Sequence, residues 1–181
     1  MKKIICILLV MFILISVTAC GTNKDEVSET IGEDNAATVR NDLEAFSEGD
    51  ISEITELVFG SGSNETSEEG IIADLFANAE AQIVSADEAT ITYTIESPDI
   101  SDFFTVYADQ LDSIMTSEEL GQAILEYAKT APTKAYTVTV SCSFEENDID
   151  VAYDDPDFIN AMTGGLLDAY SALYDLYLSE W

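Results

Sequence analysis

The spacing of apolar residues divides this chain into three segments. An apolar run from Ile4 to Val17 follows the start Met1-Lys2-Lys3, whereas residues 21–35 are polar, acidic and almost without apolar side chains. Further along, apolar residues return at regular intervals, which is the pattern of segments that bury one face. The predicted segments are a leader over 1–19, a disordered acidic tether over 20–35 and one folded domain over 36–181.

Intervals of three and four residues predict the helices of the domain. The apolar stripe of the first helix consists of Ala36, Val39, Leu43 and Phe46. Gly49 ends this helix, and the spacing of Thr116 and Glu119 predicts a capping box that opens a helix ending before Pro132. The other predicted helices lie over 51–58, 67–79 and 99–115 and from Asp155 to the end of the chain, with an interruption at Gly164-Gly165.

Alternation of apolar and polar residues predicts the strands. The clearest runs are Ala89–Ser97 and Tyr136–Phe144, and Ile149–Tyr153 follows the second run closely enough to form a hairpin with it. Gln82–Ser85 is a shorter candidate. Threonines and serines alternate with the apolar residues, so we expect the sheet to be buried on one side only. The predicted fold class is a two-layer α+β domain, in which about four antiparallel strands pack on helices on one face.

The end of the leader has the residues of a lipoprotein processing site. Two lysines, an apolar run and small residues before a cysteine are the parts of a secretory signal peptide. The apolar run is too short for a permanent membrane-spanning helix, which needs roughly 20 apolar residues. The lipobox reads Val17, Thr18, Ala19, Cys20. We predict cleavage between Ala19 and Cys20 and a diacylglycerol anchor on the Cys20 thiol, which holds the protein at the outer face of the cell membrane.

The composition limits the chemistry that the chain can perform. It contains 36 acidic residues, 6 basic residues and no histidine, with a net charge of −30. Such a charge repels nucleic acid, and the lack of histidine excludes Ser-His and Cys-His pairs and His-ligated zinc. Paired carboxylates and the hydroxyls of Tyr93, Tyr136 or Tyr153 stay open as catalytic alternatives, but no motif selects them. We predict a protein that is not an enzyme and has no cofactor.

One acidic stretch resembles a cation site in composition. Its carboxylates are Asp148, Asp150, Asp154, Asp155 and Asp157. Hard carboxylates suit Ca²⁺, but the spacing of an EF-hand is missing, so we interpret the stretch as a solvated turn followed by a helix cap. Cys142 lies among alternating apolar residues, and we interpret it as a small buried side chain, with a reactive thiol as the alternative.

The last predicted helix carries an aromatic stripe. Its members are Tyr170, Tyr174, Tyr177 and Trp181, which lie at helical spacing. We interpret the stripe as packing against the domain; the alternative is a surface that stacks on a glycan or contacts the membrane interface.

Four short motifs carry a family resemblance. They are Phe46-Ser47-Glu48-Gly49-Asp50, Ile95-Glu96-Ser97-Pro98-Asp99-Ile100, and the pair Asp155-Pro156-Asp157-Phe158 and Ala161-Met162-Thr163-Gly164-Gly165-Leu166. With these motifs the chain resembles uncharacterised lipoproteins of Gram-positive bacteria. The resemblance implies a cystatin-like or nuclear transport factor-like domain, in which a curved sheet wraps a long helix and forms a cone.

Two functions fit these observations. The first is a non-catalytic module near the cell surface that binds a protein, a wall component or a small ligand. The second is a solute-binding lipoprotein that serves a transporter. Transport receptors usually close two lobes around the solute, and this chain has residues for one, so we favour the first function.

Overall fold

The computed structural model describes residues 26–52, 54, 67–107, 116–145 and 148–179. Its strands form one antiparallel sheet in the order β1 (Glu80–Ala86), β2 (Thr90–Pro98), β3 (Thr133–Glu145) and β4 (Asp148–Val151). Its helices are α1 (Glu33–Ser47), α2 (Ser67–Phe76), α3 (Phe103–Tyr107), α4 (Ser117–Ala128), α5 (Pro156–Met162) and α6 (Leu166–Ser179). The curled four-stranded sheet and the helices confirm the predicted α+β class.

β3 holds the sheet together because it pairs with two neighbours in succession. Residues Thr133 to Ser141 pair with β2, and Cys142 to Glu145 pair with β4. Phe144 was predicted on the buried face, but it is 40% exposed. The reason is its position, since β3 extends here past the end of β2 and has a strand neighbour on one side only.

The sheet buries one face, as the alternation predicted. Ile91, Tyr93 and Ile95 of β2 are fully buried. On the opposite face the hydroxyl oxygens of Thr92 and Thr139, one strand apart, lie 3.0 Å from each other. Helices α1 and α5 pack against strands of the sheet, α1 on β1 and β4 and α5 on β2 and β3.

A second apolar cluster lies beside the sheet core and joins the remaining helices. Phe103 and Phe104 of α3 pack there with Ile124 of α4 and with Leu166 and Ala169 of α6. Helix α2 packs along α4. The positions of α3 and α6 are therefore fixed by this cluster rather than by direct cover of the sheet.

Local signals placed several helix ends correctly. The N–H of Glu119 donates to Thr116 Oγ1 at 3.2 Å, and the N–H of Thr116 donates to Glu119 Oε2 at 2.9 Å, so the predicted capping box is confirmed. Asp155 caps α5 ahead of Pro156, also as predicted. The predicted interruption before α6 is confirmed by Gly164 and Gly165, whose φ angles are +68° and +89°.

The prediction of a disordered tether through Asn35 is wrong for its second part. Residues 26–31 are helical, and α1 starts at Glu33 rather than at Ala36. Val27 and Ile31 are buried in the sheet core, which is the physical reason for the order. Two apolar residues one helical turn apart are enough to fix this segment when the domain offers a surface for them.

Several predicted segments lie outside the described residues. They are the leader and lipobox over 1–20, most of the predicted helix over 51–58, and residues 108–115 of the predicted helix over 99–115.

Candidate functional site

The predicted lipidation site is the first candidate. Val17, Thr18, Ala19 and Cys20 all lie outside the described residues. Cleavage and acylation therefore stay predictions from the leader. Among the described helices, none is long and apolar enough to pass through a bilayer.

The carboxylates of the acidic stretch near β4 either cap a helix or lie exposed. Asp155 Oδ1 accepts hydrogen bonds from the N–H groups of Asp157 and Phe158, at 2.9 and 3.3 Å. Asp148 and Asp150 belong to β4, and their side chains are exposed. Within the described ranges, no group of three acidic or thiol side chains lies close enough together to hold a metal ion. Asp154 is therefore not part of such a group either.

A polar cluster that the sequence analysis did not assemble lies inside the domain. The hydroxyl of Tyr153 donates to Asp42 Oδ2 at 3.0 Å and so links the residues after β4 to α1. Tyr93 of β2 is the third member; its hydroxyl is buried and has no hydrogen-bond partner among the described residues. Tyr93 and Tyr153 both contact the ring of Phe158, with centroids 5.5 and 5.3 Å away.

The environment of this cluster favours its neutral forms. Burial raises the pKa of Asp42, and the hydrogen bond from Tyr153 offsets part of that rise. Burial also raises the pKa values of Tyr93 and Tyr153, and the Asp42 charge adds to both effects. Both phenols therefore stay protonated at neutral pH, and the Tyr153 hydroxyl donates its proton to Asp42.

The signal for Asp42 was present in the sequence. It lies three residues after Val39 and four before Phe46, and both of these are buried on α1. A carboxylate inside an apolar helical stripe requires a partner, because burial without one is costly. The partner could not be identified from sequence, since Tyr153 lies 111 residues further along.

A second polar cluster lies where β2 and β3 meet the turn before α6. Lys134 Nζ lies 4.8 Å from the ring centroid of Tyr136 and 3.9 Å from Asp99 Oδ1. The buried hydroxyl of Tyr136 has no hydrogen-bond partner in the described part of the chain. It lies against Gly165, where a Cβ would come within 3.1 Å of this oxygen. The corner is closely packed, so it offers no room for a ligand at Gly165.

The aromatic stripe of α6 is exposed where the structure describes it. Tyr170 is 45% and Tyr174 is 63% exposed, and Leu167, on the same helical face, is 42% exposed. The interpretation of the stripe as packing against the domain is therefore wrong for Tyr174, whereas Tyr170 packs on Phe104 with ring centroids 4.9 Å apart and leaves about half of its surface open. Helix α6 turns a different set, including Leu166 and Ala169, into the core. The side chains of Tyr177 and Trp181 lie outside the described part.

Cys142 is half-buried at the point where β3 leaves β2 for β4. Burial raises the pKa of its thiol, and the charge of Asp87 raises it further. The predicted burial of Cys142 is therefore only partial. A raised pKa keeps the thiol protonated, which does not favour the alternative of a reactive thiol.

Comparisons with known proteins assign no family to the chain. No protein-family model and no curated protein matches it. A similar solved structure is the crystal structure of a candidate lipoprotein, ycdA, from Bacillus subtilis, with 16% identity and a TM-score of 0.28. The match covers 74% of this chain and 48% of that protein, so this chain spans about half of its length. A TM-score this low does not establish a shared fold, and function must be inferred from the residues of this chain.

Proposed function

We propose that this chain is a lipid-anchored lipoprotein on the outer face of the cell membrane that binds a partner protein and catalyses no reaction. The leader and the lipobox ending at Cys20 support the anchor. The exposed stripe Leu167, Tyr170 and Tyr174, named here the α6 stripe, supports the binding role. The cystatin-like or nuclear transport factor-like cone is part of the same proposal, and the curled sheet covered by α1 and α5 supports it.

The α6 stripe is the observation that carries the proposal. Its residues follow one another at intervals of three and four, so they form one continuous face of the helix. The ring of Tyr170 lies 4.9 Å from that of Phe104, which restricts its motion while leaving part of its surface open. Restricted aromatic side chains that present apolar area and a hydroxyl are typical of the central residues of protein interfaces.

Charge narrows the class of partner. Asp168 and Asp175 are exposed on α6 itself, and the whole chain carries a net charge of −30. An anionic lipid surface would be repelled by this field, whereas a protein surface with an apolar pocket bordered by lysine or arginine would be attracted. We therefore assign a basic protein surface as the partner, and a membrane surface or a second copy of the chain becomes an outcome of the test.

Photo-crosslinking tests the binding role in cells. A photoreactive phenylalanine replaces Tyr174 in one variant and Phe144, which is 40% exposed on the sheet, in the control. We expect one protein to be captured from position 174 and not from 144. The purified pair should then bind with an affinity that falls as salt rises and that Tyr174→Ser weakens at least tenfold, while Phe144→Ser leaves it unchanged.

Three other outcomes would overturn parts of the proposal. Binding of Cys20→Ser protein to phosphatidylglycerol vesicles, lost in Tyr174→Ser, would make the α6 stripe a membrane contact. A dimer in sedimentation that dissociates in Tyr174→Ser would make it a self-interface. Mass spectrometry that finds an unmodified amino terminus would remove the anchor.

A further inference from the structure

The folded domain begins close to the predicted lipid anchor. Residues 26–31 form a helical segment, named here the N-terminal segment, whose Val27 and Ile31 are buried in the sheet core. The remaining residues of the segment face outward to different degrees. The segment is therefore part of the domain. It cannot act as a flexible spacer between the domain and an anchor.

Hydrogen bonds join the N-terminal segment to α1 on both sides of the turn between them. The N–H of Gly32 donates to the carbonyl of Ser28 at 3.0 Å, and the N–H of Ala36 donates to the carbonyl of Gly32 at 3.0 Å. Gly32 has a φ of +87°, a conformation that favours glycine. The side chain of Asn35 donates to the carbonyl of Ile31 at 2.8 Å and so satisfies the last carbonyl of the segment.

A side chain of α1 adds a further link. Arg40 Nη2 donates to Ser28 Oγ at 3.2 Å across twelve positions of sequence. The bond connects the outer side of the segment to the body of α1, while Val27 and Ile31 hold the inner side. Contacts on both sides fix the segment in place as one unit with the domain.

From these contacts we infer that the domain is held directly at the outer leaflet and binds the extracytoplasmic part of a membrane protein. This inference rests on the lipid anchor at Cys20 proposed above. From Cys20 to Glu26 there are six Cα–Cα steps, which span about 20 Å at most even when fully extended. A tether through Asn35 would reach about 50 Å on the same basis.

The short reach decides between classes of partner. A domain of this size has a radius of gyration of roughly 15 Å, so the α6 stripe stays within several tens of ångströms of the leaflet. A partner that stays further than this from the leaflet is beyond the domain's reach. A membrane protein beside the anchor is within reach at all times, and attachment to the same surface raises its effective concentration.

Hydrogen exchange on the lipidated protein in vesicles tests the short reach without any substitution. We expect the amides of Gly32 and Ala36 to exchange at least 100-fold more slowly than in an unstructured peptide. Exchange as fast as in an unstructured peptide would show that the residues before α1 are not folded onto the domain. This result would overturn the inference. Mass spectrometry of the amino-terminal peptide shows independently whether Cys20 carries a lipid. A missing anchor and an unfolded N-terminal segment are therefore distinguishable results.

Variants test the segment from the other direction. Val27→Ser with Ile31→Ser removes the two buried side chains, and Glu29→Ser with Thr30→Ser is the matched control on the exposed side. We expect protection at Gly32 to fall at least tenfold in the first pair only. If protection at the β2 amides falls as well, the variant has unfolded, and the unsubstituted protein decides the question. Equal protection in both pairs would overturn the inference.

A spacer tests the consequence for reach. Ten Gly-Ser residues are inserted after Cys20, and the distance from the bilayer is measured by energy transfer to a dye at Glu88→Cys in a Cys142→Ser background. Because the spread of a flexible linker grows as the square root of its length, the distribution should widen about 1.6-fold. At the same time the crosslink from position 174 to a membrane protein should weaken severalfold. An unchanged distribution, or a crosslinked partner without a membrane segment, would contradict the inference.

Discussion

The hydroxyl of Tyr153 donates a hydrogen bond to Asp42 Oδ2 at 3.0 Å. The bond connects the first long helix to the segment that follows the last strand, so it closes the domain across most of its sequence. Phe46 on the same helix contacts the Tyr153 ring at 4.9 Å, which fixes the ring in the position that the bond requires. Apolar packing and one polar bond therefore act at the same junction.

The first prediction concerns the pH dependence that Asp42 contributes. Burial raises its pKa in the folded state, so its contribution to stability is fully present below the unfolded pKa of about 3.9 and is lost as pH rises through the higher folded value. In the variant Asp42→Asn, the amide oxygen would still accept the Tyr153 hydrogen bond, but the side chain would not ionise. We expect the free energy of unfolding of this variant, relative to the unsubstituted protein, to increase as pH rises from 4 and then to level off.

Asp50→Asn is the matched control for this prediction, because the pKa of Asp50 is shifted in the opposite direction from that of Asp42. Hydrogen bonds from the hydroxyl and the N–H of Ser52 lower the pKa of Asp50. Its stabilising contribution is present above the unfolded pKa and is lost as pH falls through the folded value, so the relative stability of Asp50→Asn should decrease as pH rises. Urea unfolding at several pH values measures both. If the relative stability of Asp42→Asn also decreased as pH rises, the hydrogen bond from Tyr153 would lower the pKa of Asp42 by more than burial raises it.

The second prediction compares two buried hydroxyls. Tyr153→Phe removes the donor to Asp42 and should cost about 1–2 kcal/mol, because a partly buried acceptor loses its partner. Tyr93→Phe removes a hydroxyl that has no hydrogen-bond partner among the described residues, so it should be neutral or stabilise by up to about 1 kcal/mol. Urea unfolding of the two variants at pH 7 gives the comparison. A larger loss for Tyr93→Phe would mean that an ordered water or another group satisfies this hydroxyl.

Local features of this fold could be predicted from sequence, because their causes lie within a few residues. The box between Thr116 and Glu119 and the cap by Asp155 are bonds between near neighbours. The alternation predicted the buried face of β2 correctly, and that of β3 at Val138 and Val140 but not at Phe144. In each case the pattern contains both partners of the interaction.

Features that depend on distant contacts could not be predicted in the same way. Helix α6 carries apolar residues on two faces, and only the folded domain shows that Leu166 is covered while Leu167 is exposed. The N-terminal segment has two apolar residues in an acidic stretch, too few to predict a helix. The Asp42–Tyr153 bond joins residues whose own surroundings in sequence give no sign of each other.

The third prediction concerns the thiol of Cys142. Burial and the Asp87 charge raise its pKa, so the reactive thiolate is scarce at neutral pH. We expect a thiol reagent to label the folded protein at least tenfold more slowly than the urea-unfolded protein at pH 7.5. Since salt screens the effect of the exposed Asp87, labelling should become faster with added salt. Rapid labelling of the folded protein would contradict this and would support a reactive thiol.

The last prediction concerns the turn between α5 and α6. Gly164 has a φ of +68°, and a Cβ there would collide with the carbonyl oxygen of Pro98. The Gly164 carbonyl accepts a 2.8 Å hydrogen bond from Ile100, so the turn cannot move away without breaking a bond. Gly164→Ala should therefore destabilise the domain by about 2 kcal/mol or more.

In the control Gly70→Ala, a Cβ meets nothing within 4 Å, and an alanine inside a helix should stabilise by about 0.5–1 kcal/mol. Thermal unfolding measures both changes, and a loss in Gly164→Ala no larger than the gain in Gly70→Ala would show that this turn does not fix α6 on the domain.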